Sequence, residues 1–448
     1  MRYIPATESD IKEMLEKIGL SSISELFRSI PEPLRLKKGL NLSSTMSELE
    51  LTRHMNKLAS KNKGNNHYSS FLGAGCYRHF APSIINHIIS RAEFYTAYTP
   101  YQPEISQGTL QAIFEFQSLI CMLTGMEVAN ASMYDGATSL AEATLMAIRI
   151  TNRKEVILSQ TTHPEYRQTL ETYLKNLDVK IKIAPFTKEG LTDFNWIENE
   201  INSQCAAIII QNPNFFGVIE DVESFSTLAH NNGSLQIAGV VEPISLGILK
   251  PPGEMGADIV AGEGQSLGIP MNYGGPSLGL FSSLEKYVRN MPGRIVGETV
   301  DTQGKRGYVL TLATREQHIR RERATSNICT NQGLCALIAT IYLAAMGKSG
   351  MKEVGEQNIQ KAHYAKNALS KIKGLNLKFS GKTFNEFVIE TKKPPSEINE
   401  QLLKRSIIGG LDLQRHYPEL KNCMLFCVTE YNTKEEIDQL METISRVS

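Results

Sequence analysis

The chain carries no surplus of charge of either sign: 47 Lys and Arg stand against 47 Asp and Glu over 448 residues. A balanced chain offers no electrostatic footprint for a phosphate backbone, so nucleic acid is not an expected partner. Cysteine is scarce, with seven residues, no C-x-x-C pair and no Cys/His group at ligand spacing. That pattern argues against a disulfide framework, leaves no metal site in view, and fits reduced thiols in the cytoplasm. Met1 to Glu16 holds Glu8, Asp10, Glu13 and Glu16 without an apolar segment, so no secretory signal is expected. One stretch, Ala324 to Gly347, is free of charge. Its strongly apolar part, Leu334 to Met346, is too short for about 30 Å of hydrocarbon, so a buried helix is expected and not a membrane span. Also missing are G-x-x-x-x-G-K-[ST], H-E-x-x-H and G-x-S-x-G, and Gly262, Gly264 and Gly268 do not match G-x-G-x-x-G. Standard nucleotide, zincin and esterase sites are therefore unsupported.

What is present is an ordinary globular composition, 41% hydrophobic and 21% charged. At about 150 residues per unit the length allows roughly three structural units. The first, 1–125, reads as a helical and loop arm. Ile11, Met14, Leu15 and Ile18 follow Ser9-Asp10 at helical spacing up to Gly19, and a second helix is expected over Ile23 to Ile30. Phe71 to Gln107 is a long aromatic loop region, and Ser106 is the expected cap of the helix that follows.

The second unit, 126–323, alternates short apolar runs with helical patterns. Strands are expected at Val156–Leu158, Val179–Ala184, Ala206–Gln211, Leu235–Val241, Asp258–Ala261 and Leu278–Phe281, with helices near Glu165–Asn176, Phe194–Ile201 and Ser224–Asn231. Such alternation predicts a doubly wound α/β domain around a mainly parallel sheet. The third unit, 324–448, reads as a linking helix and a small α+β lobe, with Cys423 and Cys427 in an apolar stretch that reads as strand or core.

Ligands in open α/β sheets bind beyond the carboxyl ends of the strands. Asp135-Gly-Ala-Thr138-Ser139 opens a helix there, with Ser139 and Glu142 at capping-box spacing, and reads as a phosphate cradle or a plain cap. His163 in Thr162-His-Pro164 reads as a partner for a planar ligand or as a surface residue. Gln211-Asn-Pro-Asn214, Glu242 and Gln265 follow further strands. Arg315 to Arg323 reads as a solvated, ion-paired helix face in preference to a phosphate site.

Several segments carry a resemblance: Phe71-Leu-Gly-Ala-Gly-Cys-Tyr77, Tyr95-Thr-Ala-Tyr-Thr-Pro-Tyr-Gln-Pro-Glu-Ile-Ser-Gln-Gly108, Met133-Tyr-Asp-Gly136, Gln265-Ser-Leu-Gly-Ile-Pro270 and Arg315-Glu-Gln-His-Ile-Arg-Arg321. Together they resemble the P-protein of the glycine cleavage system, in the lysine-free (alpha) half of its two-chain form. The resemblance implies the type I fold of pyridoxal-phosphate enzymes. It also implies a complex that decarboxylates glycine and passes the aminomethyl group to the lipoamide of H-protein. In the family's catalytic subunit His-Lys-Thr supplies the Schiff-base lysine; the matching residues here are Gly264-Gln265-Ser266, and a glutamine amide cannot form that bond. The implied cofactor is thus pyridoxal phosphate held by a partner, subunit 2 (beta), in an assembly of two alpha and two beta chains. Asp135, Thr138, Ser139, His163, Glu242 and Gln265 are then a vestigial pocket. Tyr95, Tyr98, Tyr101, Gln102, Glu104, Ser106 and Gln107 are expected to line the partner's active site, or else only to pack the interface. Two other readings stand beside this one: a purely structural or regulatory subunit, and a self-sufficient enzyme using another lysine such as Lys286.

Overall fold

The computed structural model describes residues 5–62, 64, 67–96 and 98–447. The chain divides into two compact units, Met1–Lys63 and Gly64–Ser448. In the first, helix α1 (Glu8–Ile18) starts from Thr7, whose hydroxyl accepts the Asp10 N–H while the Asp10 carboxylate accepts the Thr7 N–H. This reciprocal pair moves the start upstream of the expected Ser9-Asp10. The second expected helix is only a 3-10 turn over Ile23–Phe27. Helix α2 (Glu48–Ala59) has its own reciprocal cap, Ser47 with Glu50.

The second unit opens with Ser69–Ser70, paired parallel to Ile407–Ile408, and then helices α3 (Ile84–Ile89) and α4 (Gln107–Thr124). Ser106 stands at the start of α4 without a side-chain cap bond. Next come strand β1 (Val128–Ala129), helix α5 (Gly136–Thr151), β2 (Glu155–Ser159), α6 (Pro164–Leu174), β3 (Lys180–Ala184), α7 (Phe194–Glu200), β4 (Cys205–Gln211), α8 (Val222–Asn231), β5 (Leu235–Val240), β6 (Ile259–Glu263) and β7 (Gly279–Ser283). These strands form a seven-stranded sheet in the order β1-β7-β6-β5-β4-β2-β3. From β6 to β3 all neighbours run parallel; β7 is antiparallel to both β6 and β1.

The apolar runs are continuous because both faces are covered. Val156 and Leu158 of β2, with Ala207 and Ile209 of β4, pack under α5 and α6; Ile157, Ile208 and Ile210 point the other way, onto Ile197, Phe225 and Ala229 of α7 and α8.

Beyond the sheet, β8 (Ile295–Val300) and β9 (Arg306–Thr311) form an antiparallel hairpin absent from the sequence reading. Val296 and Tyr308 fasten it to Leu110 and Ile113 of α4. The expected helix face at Arg315–Arg323 is instead a set of single turns with one short helix, α9 (Gln317–Arg320), broken where Arg321 takes φ 53°. Arg315 is buried, and its guanidinium donates to the carbonyls of Leu312, Met291 and Gly293. It is an internal strut, because five N–H donors satisfy several loop carbonyls at once.

Helix α10 (Gly333–Leu369) unites the apolar segment and the following helix around a bend at Gly347. It is long and apolar enough to cross a membrane, but half of its most apolar stretch is buried inside the protein. The small lobe follows: β10 (Leu375–Leu377), β11 (Glu386–Thr391), helix α11 (Pro395–Leu403), β12 (Leu411–Asp412), β13 (Cys423–Cys427) and helix α12 (Lys434–Val447), with sheet order β10-β11-β13-β12. Phe215, Phe216 and Val218, beyond β4, pack onto Phe379, Val388 and Tyr417 and join the lobes. Gly217, φ 79°, lets this connection lie flat against the Glu386 backbone.

A methyl group at Gly217 would overlap the Glu386 carbonyl, so Gly217→Ala is expected to cost about 3 kcal/mol through left-handed strain and overpacking. Urea unfolding of the full chain measures it; a change under about 1 kcal/mol would mean the contact yields easily.

Candidate functional site

The carboxyl ends of the strands, the start of α5 and the loop Phe71–Phe80 converge on one buried site. Gln265, which follows β6, is 7% exposed. Its Oε1 accepts the Tyr77 N–H at 2.9 Å, and its Nε2 donates to the Tyr77 carbonyl at 3.0 Å and to that of Ile269 at 2.7 Å. The amide thus spends both of its N–H donors and one lone pair of its oxygen on backbone groups.

Two residues earlier, Glu263 reaches the start of α5. Its Oε2 accepts the Gly136 N–H at 3.0 Å, and its Oε1 accepts those of Leu278 at 2.9 Å and Gln265 at 3.1 Å. Burial pushes this carboxyl up to about 7, against the pull of its backbone donors. A carboxylate of the chain therefore sits where a helix start would otherwise receive a phosphate. Asp135 caps α5 through the Thr138 N–H at 2.8 Å and also meets the Thr138 hydroxyl. Ser139 and Glu142 form no capping box, because α5 begins at Gly136 and both lie inside it; the Ser139 hydroxyl is buried without a partner among the described residues.

His163 is buried between Tyr166 and Phe215, each 4.9 Å away between ring centres. Its Nδ1 accepts the Glu165 N–H, which leaves Nε2 to donate to the Ala74 carbonyl at 2.9 Å, and burial lowers its proton affinity. Against the ring lies Gly75, φ 95°, where a Cβ would stand 2.7 Å from Nε2. Only glycine passes there.

Glu242, beyond β5, takes part in a second buried group. Its Oε2 lies 2.8 Å from His79 Nε2 and accepts from Asn385 at 3.0 Å; Glu430 Oε2 lies 2.7 Å from His79 Nδ1. Burial alone would lower His79, but the two carboxylates outweigh it and hold the imidazolium to about 10. Glu386 accepts the Ala74 N–H at 2.6 Å and the Tyr77 hydroxyl at 2.9 Å, and burial pushes it up to about 7.

These contacts decide whether pyridoxal phosphate fits. The position to which the resemblance assigns the Schiff base, Gln265, holds an amide, the helix start holds Glu263, the face of His163 holds Gly75, and the Glu242 carboxylate faces His79. The residues present do not accommodate the cofactor. Lys286 offers no substitute: it lies 61% exposed beside Asp258, at the opposite end of β6 from Gln265. Among the described residues no group of three His, Cys, Asp or Glu converges to hold a metal.

The tyrosine loop lies apart from this pocket. Tyr95 is 73% exposed, and Tyr98 and Tyr101 are each 46% exposed. Gln102 and Glu104 are exposed as well. Tyr98 and Thr99 wall a cavity of about 230 Å³ with Thr330, Asn331, Ile113 and Leu337. Arg294, buried, donates to the Tyr101 hydroxyl at 2.7 Å, lies under the Tyr101 ring, and faces Glu316 at 3.5 Å. Ser106 is buried. The Gln107 amide accepts the Tyr308 N–H and donates to the Tyr308 and Pro103 carbonyls, a staple between α4 and β9. Glu263, Glu386, His79, Glu430 and Arg294 escaped the sequence reading; a signal that could have pointed to the Gly73–Gly75 loop is its pair of glycines, where no side chain blocks a close approach.

Two expectations follow. Gln265→Lys alone acquires no cofactor: after incubation with pyridoxal phosphate and borohydride reduction, peptide mass spectrometry finds no adduct at position 265. An adduct there would mean that the loop leaves the pocket readily. For His79, folding raises proton affinity, so its stabilisation is complete below about 6.5 and fades as pH climbs toward about 10. His79→Gln should cost about 3 kcal/mol at pH 7, and its deficit against the parent chain should shrink between pH 7 and 10. A deficit independent of pH would show that His79 is not the charged member.

The model of the family "Glycine cleavage system P-protein" matches residues 1–444. The relative named "Probable glycine dehydrogenase (decarboxylating) subunit 1" of Desulfitobacterium hafniense is 54% identical over 447 residues, covering all of both chains. Its namesake in Moorella thermoacetica is 54% identical over 441 residues, 98% of each. Among solved structures, an inhibitor-bound glycine decarboxylase (P-protein) of the glycine cleavage system superposes with TM-score 0.91 at 42% identity over 100% of both chains. A Lactobacillus brevis glutamate decarboxylase, at 12% identity and TM-score 0.69 over 94% of this chain and 97% of that one, shares the fold. With the family model spanning nearly the whole chain and relatives above half identity from end to end, the protein belongs to the glycine cleavage system P-protein family.

Proposed function

We propose that this chain is the lysine-free subunit of a two-chain glycine decarboxylase. The filled pocket carries the reading: a chain similar to P-proteins throughout, whose own Gln265, Glu263 and Gly75 take the cofactor's place, depends on a second chain to hold it. That partner, subunit 2, bears the lysine and the covalently bound pyridoxal phosphate, and two copies of each chain assemble. Bound there, the cofactor supplies the electron sink for loss of the glycine carboxyl carbon. The complex hands the remaining aminomethyl group to the lipoyl arm of H-protein. The seven unpaired thiols support a cytoplasmic setting.

This chain's contribution is positional. Tyr95, Tyr98 and Tyr101, with Gln102 and Glu104, face the partner's site. Their hydroxyls and the carboxylate orient the ammonium group of glycine and the incoming arm, while the rings exclude water. Arg294 holds the inner end of the loop through the Tyr101 hydroxyl.

The first test is glycine-dependent exchange of labelled bicarbonate. This chain alone is expected to be silent, and activity appears on mixing with the lysine-bearing subunit; exchange by the chain alone would overturn the reading. Within the assembled enzyme, Tyr98→Phe and Glu104→Gln are each expected to lower kcat/KM about tenfold or more with assembly intact. Unchanged rates would reduce the loop to packing.

A further inference from the structure

Between Pro5 and Asn62 the chain forms two α-helices and two 3-10 turns, and none of these four elements has a buried residue. The side chains are nonetheless patterned for burial. Ile11, Met14, Leu15 and Ile18 line one face of α1; Ile23, Leu26, Phe27 and Ile30 repeat the same spacing; Leu51, Met55 and Leu58 line one face of α2. Fifteen large apolar side chains between Met14 and Leu58 are exposed, each by 42% to 76%. At about 100 Å² each they present roughly 1,500 Å², against about 800 Å² that one partner contributes to a standard stable interface. Soluble monomers rarely leave apolar patches of more than a few hundred Å² uncovered.

The helices are also prepared for docking. Both start with reciprocal caps, Thr7 with Asp10 and Ser47 with Glu50, which bias the backbone toward the helix and lessen the entropy lost on binding, although helices this short still open and close without a partner. The segment has no core of its own, and the family model spans it. An arm that is helical, amphipathic and coreless is shaped to be completed by another chain.

We propose that residues 5–62 are an embracing arm whose apolar stripes dock on the lysine-bearing subunit. The inference rests on the reading that such a partner exists, and the area is ample for a permanent assembly.

Amide hydrogen exchange tests it on the full-length chain, alone and mixed with the lysine-bearing subunit. In the isolated chain the amides of α1 and α2 are expected to exchange rapidly, and in the complex at least a hundredfold more slowly. The full-length variants Leu51→Glu and Met55→Glu are expected to weaken assembly at least tenfold, while Lys57→Gln, on the opposite face of α2, leaves it unchanged. Assembly with an unprotected arm and unaffected variants would overturn the inference and leave the proposed function standing. Protection already present in the isolated, dilute chain would assign the stripes to the chain's own body, and protection that grows with its own concentration would assign them to a second copy; either overturns it. Failure of the parent chains to assemble at all would instead sink the proposed function.

Discussion

One buried charge pattern organises the second unit. The His79 imidazolium lies between Glu242, at the end of β5, and Glu430, just beyond β13. It belongs to neither lobe but to the loop that enters between them. In a low-dielectric interior two carboxylates without a counter-charge would repel each other strongly, so the loop's cation is what allows the lobes to meet there. Asn358 and Asn385, bonded to Glu430 and Glu242, complete the set of polar partners. Everything else in the pocket follows from the loop being held: once His79 is fixed, Tyr77 is placed against Gln265 and Gly75 against His163.

The pocket is filled by internal contacts of the kind a ligand would otherwise make. A helix start favours an oxygen acceptor, and the Glu263 carboxyl supplies one to the Gly136 N–H. An imidazole face and a ring N–H favour a planar polar group, and the Ala74–Gly75 peptide is one. A glutamine amide in place of an amine finds a peptide to pair with. Burial of these groups is tolerable because nearly all of them are hydrogen-bonded.

Much of the fold was legible in the sequence, for a physical reason. Strands β2, β4, β5 and β6 are buried on both faces and so read as unbroken apolar runs, while turns and helices between them obey local rules. The hairpin β8–β9 was not legible, since Glu298, Thr299 and Arg306 dilute its pattern and its inward-packing residues, Ile295, Val296, Tyr308 and Leu310, fall into two different clusters. Arg315 misled because charge-rich spacing does not tell whether a guanidinium meets water or carbonyls. At the site, the missing lysine at Gln265 could be read directly, but its partner Tyr77 lies 188 residues away. His163 and Ala74 are 89 apart, and Tyr77 and Glu386 are 309 apart. No local pattern encodes such pairings, and the close approach at Gly75 is evident only once the chain is folded.

The loop from Phe71 to Phe80 has a mechanical consequence. It is bonded to the large lobe through Gln265, His163 and Glu242, and to the small lobe through Glu386, Glu430 and the Thr429 hydroxyl, which donates to the Arg78 carbonyl. Swinging one lobe away from the other would have to break these bonds together and strand buried charge. Relative motion of the two lobes is therefore resisted by all of these bonds at once, and the loop acts as a brace between them.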